Sequence, residues 1–307
     1  MPPSVTVAVP SHERPVRLGR LLDALAEQTL EEEWEVVVVH DSGDDTEAVL
    51  SGHPLRAAGR LRHVRLDRGT GSASRQRNVA WREANAPLVA FTDDDCRPAP
   101  GWLDALLVAA RADPGAFVQG RTVPDQLDGV TPGGPGVRTL HVAPPTPHVP
   151  TCNVLYPRAL IERVGGFSED PDLRAGEDTE LAWRVVEAGG RQAAAPAAVV
   201  HHAVEAVGVL GAVRAAVRWG DLAYVVRRHP HLRSELIGGV FWKAEHGLLA
   251  AAAAGLALAP RRRGALVLAL PYLWARRGRD LPGWAALDVA EMAALARGSI
   301  RHRTLML

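Results

Sequence analysis

Only two of the 307 residues are cysteines, Cys96 and Cys152. That is too few for a disulfide framework or a cysteine-based zinc site, and it fits a reducing compartment. The Gly-rich segment at residues 69–72 has neither the G-x-G-x-x-G spacing of a dinucleotide fingerprint nor a Walker lysine, so neither kind of phosphate loop is expected. The opening stretch, MPPSVTVAVP, lacks a basic region followed by a long apolar one; no secretory signal is expected, and the chain reads as cytoplasmic. Net charge is zero and no nucleic-acid motif accompanies the basic residues, so nucleic acid is not expected as a partner. A clear nucleophilic serine or cysteine motif is also missing, which points away from chemistry through a covalent enzyme intermediate.

What is present is enough apolar sequence, 47%, to build a sizeable core. Charge divides unevenly: residues 1–205 hold 20 Lys+Arg against 29 Asp+Glu, and residues 206–307 hold 15 against 6. An acidic body with a basic tail suggests two parts with different partners. The stretch LVAFTDDDCRPAPGW at residues 88–102 carries the strongest chemical pattern. A short apolar run reads as a buried strand that ends in Asp93, Asp94 and Asp95, the edge at which open α/β sheets bind ligands. Three adjacent carboxylates repel one another and are eased by a cation; oxygen ligands favour Mg²⁺ or Mn²⁺. An isolated triplet of this kind also suits a solvated turn, and its position after an apolar strand is what favours the metal.

Upstream, Ser4 to Val9 reads as a strand, and Leu18, Leu21, Leu22 and Leu25 recur at helical spacing. Residues 35–39 form a second apolar strand ending at His40 and Asp41, and residues 61–66 a third. Residues 69–72 lead into a helix holding Arg75, Arg77 and Asn78. Strands alternating with helices predict a mostly parallel sheet, flanked by helices, with its working loops at the carboxyl edge. After a helix at residues 102–111 and a strand at 116–119, residues 120–150 are rich in Pro and Gly; a connection of that length is expected to be functional or mobile. Residues 177–184 place Glu177, Glu180 and Arg184 at helical spacing, and acids at a helix start are also explained by its dipole. Val199 and Val200 then end a strand in His201 and His202.

Taken together, VAVPSHERPVRLGRLLDAL, VVVVHDSGDDT, GTGSASRQRNVA, VAFTDDDCRPAPGWL, CNVLYPRALIERVGGFSED and GEDTELAWRVVEAG resemble family 2 glycosyltransferases of the GT-A fold, over about residues 4–202. The resemblance implies a Rossmann-like α/β domain at residues 1–205 that transfers a sugar, with inversion, from a nucleoside-diphosphate sugar to an acceptor hydroxyl. It implies that Pro10 and Glu13 lie in the nucleotide loop, that Asp41 contacts the base, and that Arg77 and Asn78 belong to the donor-site helix. Asp93, Asp94 and Asp95 match the acidic D-x-D motif, with Asp95 as the direct ligand of Mn²⁺ or Mg²⁺ and the other two nearer the donor. Asp178 matches the general base, His201 or His202 a late metal contact, and Trp102, Glu177 and Arg184 are expected around the acceptor or behind the first contacts. Against the family pattern, Ser11, His12 and Glu13 replace an aromatic and an asparagine, and His40 replaces a residue that is often acidic. A nucleotidyltransferase would need a basic Gly-rich first loop, which residues 10–15 do not supply; a non-catalytic sugar-nucleotide-binding scaffold is the remaining alternative.

Residues 206–307 change character. A helix is expected at residues 207–228, and two apolar stretches, residues 247–259 and 265–275, are flanked by Arg261, Arg262 and Arg263 and by Arg276, Arg277 and Arg279. Each is shorter than the roughly 20 residues that span a bilayer. Two readings stand: a helical hairpin lying on a membrane, which would suit a lipid-linked acceptor, or a helical subdomain whose apolar surface packs within the chain or in a homo-oligomer.

Overall fold

The computed structural model describes residues 2–278 and 280–307, so Arg279 of the basic cluster lies outside the described residues. Its α/β part runs β1 (Val5–Ser11), α1 (Pro15–Ala26), β2 (Trp34–His40), α2 (Thr46–Gly52), α3 (Pro54–Ala57), β3 (Leu61–Arg65), α4 (Ala73–Arg82), β4 (Leu88–Phe91) and β5 (Cys96–Pro98). There follow α5 (Trp102–Ala112), β6 (Ala116–Pro124), β7 (Val137–Arg138), β8 (Val154–Pro157), α6 (Arg158–Val164), α7 (Glu177–Glu187), β9 (Arg191–His202) and β10 (Glu205–Ala206).

Eight strands form one sheet in the order β3-β2-β1-β4-β8-β6-β9-β5. Neighbours are parallel from β3 to β4 and for β6 with β9, and antiparallel at β8 and at β5. Every residue of β1 and β2 is buried, as expected of strands covered on both faces. One apolar layer sets Leu18, Leu21, Leu22 and Leu25 of α1 with Leu103, Leu106 and Leu107 of α5. The other sets Trp81, Phe91, Phe117, Tyr156, Ile161 and Leu181 together. The leucines of α1 share one face because they recur every three or four residues, and Pro15 suits the first turn, where no amide partner is needed.

The acidic triplet occupies a tight turn between β4 and β5, closed by the Cys96 amide donating to the Asp93 carbonyl at 3.1 Å. The short β5 then pairs antiparallel with the end of β9, Cys96 opposite His202 and Arg97 opposite His201. The long segment after residue 120 differs from expectation: β6 continues to Pro124 alongside β9, and Thr122 bridges to Val142. Arg97 grips Asp125 through two 2.9 Å bonds, so much of that segment is fastened to the sheet. Between β6 and β9 the register jumps, Gly120 opposite Ala195 but Arg121 opposite Val199, leaving residues 196–198 as a bulge. Asn153 holds it, donating to the Arg121 and Ala198 carbonyls at 2.8 and 2.9 Å.

The chain divides into two compact units. The first takes residues up to Gly129, Thr139–Glu169 and Glu177–Val204; the second takes Val130–Arg138, Asp170–Gly176 and Glu205–Leu307. In the second unit β7 pairs with β10, and the helices are α8 (Gly208–Ala216), α9 (Leu222–Arg228), α10 (Ala244–Leu258), α11 (Leu270–Ala275) and α12 (Leu281–His302). The single helix expected at residues 207–228 is interrupted by a 3₁₀ stretch, Val217–Asp221, where the Gly220 backbone lies so close to Gly298 that a Cβ on Gly298 would sit 1.9 Å from the Gly220 carbonyl oxygen. No helix among the described residues is long and apolar enough to cross a membrane.

Candidate active site

The site is assembled from loops at the ends of β1, β2, β4 and β9 and from the first turns of α4 and α7. Asp94 is buried; its carboxylate accepts from the Ser11 hydroxyl at 2.9 Å and the His12 amide at 3.2 Å. Burial and the adjacent Asp95 charge push its carboxyl up to about 6, against the opposing pull of Arg14. Arg14 reaches the triplet from the β1–α1 loop, 2.6 Å from Asp95 Oδ2 and 3.3 Å from Asp94 Oδ1.

The other Asp95 oxygen faces His202 Nε2 at 3.7 Å. His202 Nδ1 lies 3.0 Å from the Ala203 carbonyl. A carbonyl only accepts, so a proton belongs on Nδ1, and Nε2 is the nitrogen that faces Asp95. Asp95, Cys96 and His202 each offer an atom within 4.8 Å of the others, close enough to share one cation. Burial and the nearby Cys152 push the Cys96 thiol up, which keeps it protonated and leaves a carboxylate and an imidazole as the donors. His201, on the opposite side of the strand, has its pKa lowered by burial and by Arg97, with Asp125 pulling the other way.

At the β2 end, Asp41 is buried and its oxygens are engaged: Oδ2 accepts from the Gly69 and Gly71 amides at 3.2 and 3.1 Å, and Oδ1 meets Gln76 Nε2 at 3.0 Å and His12 Nδ1 at 2.7 Å. Burial works against its charge, but these donors outweigh it and hold the carboxyl below its usual range. Gly71 is required here because a Cβ would stand 2.8 Å from the Asp41 carboxyl carbon. Pro10 is buried within β1 opposite Val39. Glu13 takes a left-handed φ of 49°, its amide donating to Ser42 Oγ at 2.8 Å and its carboxylate pairing with Arg68 at 2.9 Å.

Arg77, buried in α4, bridges Asp93 at 2.7 Å and Glu177 at 2.9 Å, so two acids from distant parts of the chain share one guanidinium. Beside this bridge, Asp178 opens the first turn of α7. Burial and the neighbouring charges of Glu177 and Asp93 push its carboxyl up to about 7, while the Thr179 amide and Arg77 pull it down. A carboxylate that changes protonation near neutrality is suited to accept a proton in a reaction.

With this geometry in view, the comparison with known proteins is direct. The model of the glycosyl transferase family 2 domain matches residues 6–164, more than half of the chain. The chain belongs to glycosyltransferase family 2. It is 30% identical over 174 residues to the pre-mycofactocin glycosyltransferase of Mycobacterium tuberculosis, covering 52% of this chain and 36% of that one. It is 33% identical over 219 residues to the validoxylamine A glucosyltransferase of Streptomyces hygroscopicus, covering 60% and 51%. The chain therefore spans about a third to a half of the curated relatives it matches. A mannosyltransferase from Pyrobaculum calidifontis, solved with GDP-Man and Mn²⁺, superposes with a TM-score of 0.67 at 22% identity over 97% of this chain and 87% of that one, which establishes the shared GT-A-type fold.

Within this family 2 chain several residues singled out in the sequence hold the framework. Asn78 accepts from the Phe167 amide and Trp81 indole and donates to the Phe167 carbonyl and Glu169, pinning the turn after α6. Arg184 pairs with Glu180 and donates to the Val164 and Gly166 carbonyls at 2.6 and 2.7 Å, closing the same turn. Trp102 is fully buried, its indole donating to Asn153 Oδ1 at 2.8 Å, so it offers no surface to an acceptor and only the place behind the first contacts is left to it. Arg14 and Gln76 were not anticipated. The only hint for either was position, one just after the first strand and one a residue before Arg77.

Proposed function

We propose that this glycosyltransferase moves a sugar from a nucleoside-diphosphate donor to an acceptor hydroxyl in a single inverting displacement, with Asp178 as general base and a divalent cation, Mn²⁺ or Mg²⁺, held by Asp95 and His202. The approach of Asp95 to His202 Nε2, 3.7 Å apart, is the observation that carries this reading. A carboxylate and an imidazole nitrogen side by side suit a divalent ion that keeps room for phosphate oxygens. The Mn²⁺ and GDP-Man in the mannosyltransferase of like fold support the same class of donor and metal.

When bound, the cation supplies charge to the departing diphosphate. Arg14, already against Asp94 and Asp95, is placed to turn towards that diphosphate once the carboxylates bind metal. Arg77 holds Asp93 and Glu177 together, and burial with the charge of Glu177 raises the proton affinity of Asp178, which takes the proton of the attacking hydroxyl. Asp41 acts by shaping the nucleotide loop through Gly69, Gly71 and Gln76.

Calorimetric titration of uridine, guanosine and thymidine diphosphates, each with Mn²⁺ and with chelator, tests the donor site; nucleotide binding indifferent to chelator would remove the cation from it. NMR of the product's anomeric proton then tests inversion, and a retained configuration would exclude single displacement.

A further inference from the structure

In the second unit, α10 is followed by a 3₁₀ stretch, Arg263–Ala269, that runs into α11, and both pack against α10. The hairpin closes tightly at Gly255, where a Cβ would lie 2.5 Å from the Ala265 carbonyl oxygen. Large apolar side chains stand out on it: Trp274 is 70% exposed, Leu256 61%, Val267 60% and Leu270 59%. Singly exposed apolar residues need no explanation, but several on two packed segments mark an interaction surface.

The charge around this surface has one sign. Between Glu245 and Asp280 the chain contains no acidic residue, whereas Arg261, Arg262, Arg263 and Arg277 are exposed beside the apolar side chains. Arg276 points the other way, fixed to Asp288 by bonds of 2.9 and 2.7 Å and stacked over Trp284 at 4.3 Å. The inner face of the hairpin is thus fastened by paired charges, and its outer face is left apolar with a cationic rim.

We propose that the hairpin formed by α10 and α11 is a docking surface for an anionic lipid membrane, on which it lies without crossing. Its 15-residue α10 is about 22 Å long, short of the roughly 30 Å hydrocarbon core. Interfacial binding combines insertion of apolar side chains with attraction of arginines to anionic headgroups, the two elements found together here. A two-fold contact with a second copy would instead bring the arginine clusters of both copies together, offset on the hairpin by Glu245 alone, which already lies 3.5 Å from Arg276.

Co-sedimentation of the full chain with vesicles of equal parts phosphatidylglycerol and phosphatidylcholine, and with phosphatidylcholine alone, tests this. Binding to the mixed vesicles, weakened by salt and much lower on the neutral ones, is expected. Changing Arg261, Arg262 and Arg263 together to Gln should lower partitioning about fivefold per arginine, and Leu270→Glu with Trp274→Glu should abolish it. Unchanged circular dichroism would establish that the variants are folded. Equal binding to both vesicles, or no binding to either, overturns the proposal; a dimer in light scattering that Leu270→Glu dissociates, without vesicle binding, assigns the surface to a second copy. The assay contains no donor, so its failure would leave the glycosyl-transfer reading untouched.

Discussion

Asp94 and Asp178 in the first unit, and Asp288 and Glu291 in the second, are all carboxylates packed round by protein, yet they are treated in opposite ways. Asp288 accepts from Tyr272 and twice from Arg276, and Glu291 takes both Lys243 and His246. Burial opposes the Glu291 charge, but those partners overcome it and hold its carboxyl below the usual range. Asp94 and Asp178 sit beside other acids and are pushed up to about 6 and about 7. The partnered carboxylates join helices; those crowded by other acids stand where the proposed reaction would handle a cation and a proton.

The contrast is broken most sharply by Asp178→Asn. Loss of the proton acceptor should lower kcat by about 10³ while donor affinity stays within about threefold, measured by initial rates and calorimetry. Normal turnover would remove Asp178 from the chemistry. In the intact protein, kcat should rise with pH through about 7, because the carboxyl must shed its proton to act. Asp95→Asn should lower kcat/KM by about 10² and abolish the effect of chelator on donor binding.

Asp288→Asn should leave kcat unchanged and lower unfolding free energy by about 2 kcal/mol in urea titration, since it weakens the charge-assisted bonds to Arg276 while Glu245 and Trp284 still hold that guanidinium. The last effect has the opposite sign. With a folded pKa raised above the unfolded one, Asp178 binds its proton more tightly in the folded state, so its contribution to stability falls as pH rises from about 4 to about 7. Asp178→Asn should therefore raise the urea midpoint at pH 8 relative to the parent; a lower midpoint would place Asp178 with the partnered group.

The parts legible in the sequence were those carried by local pattern. Leucines of α1 at helical spacing and an apolar run halted by three acids need no tertiary information to be read. Asn78, Arg184 and Trp102 lie at positions where a site residue and a framework residue look alike, and only their partners separate them: the Phe167 backbone, the Gly166 carbonyl and Asn153. His202 is distinguished from His201 by the β5 residue opposite it, Cys96 next to Asp95 rather than Arg97, a register set between segments about a hundred residues apart. The long α12 passed unnoticed because its alanines and leucines are spread round the helix and leave no strong apolar stripe.

The bulge at residues 196–198 turns the identity of that histidine into a matter of counting. Side chains alternate along a strand, so excising one of the three residues would rotate every later position of β9 to the opposite face and aim His202 away from Asp95. Excising two would restore the sidedness. The shorter deletion should then be the more harmful to donor binding, and Trp102, buried in the core, keeps the count through its bond to Asn153.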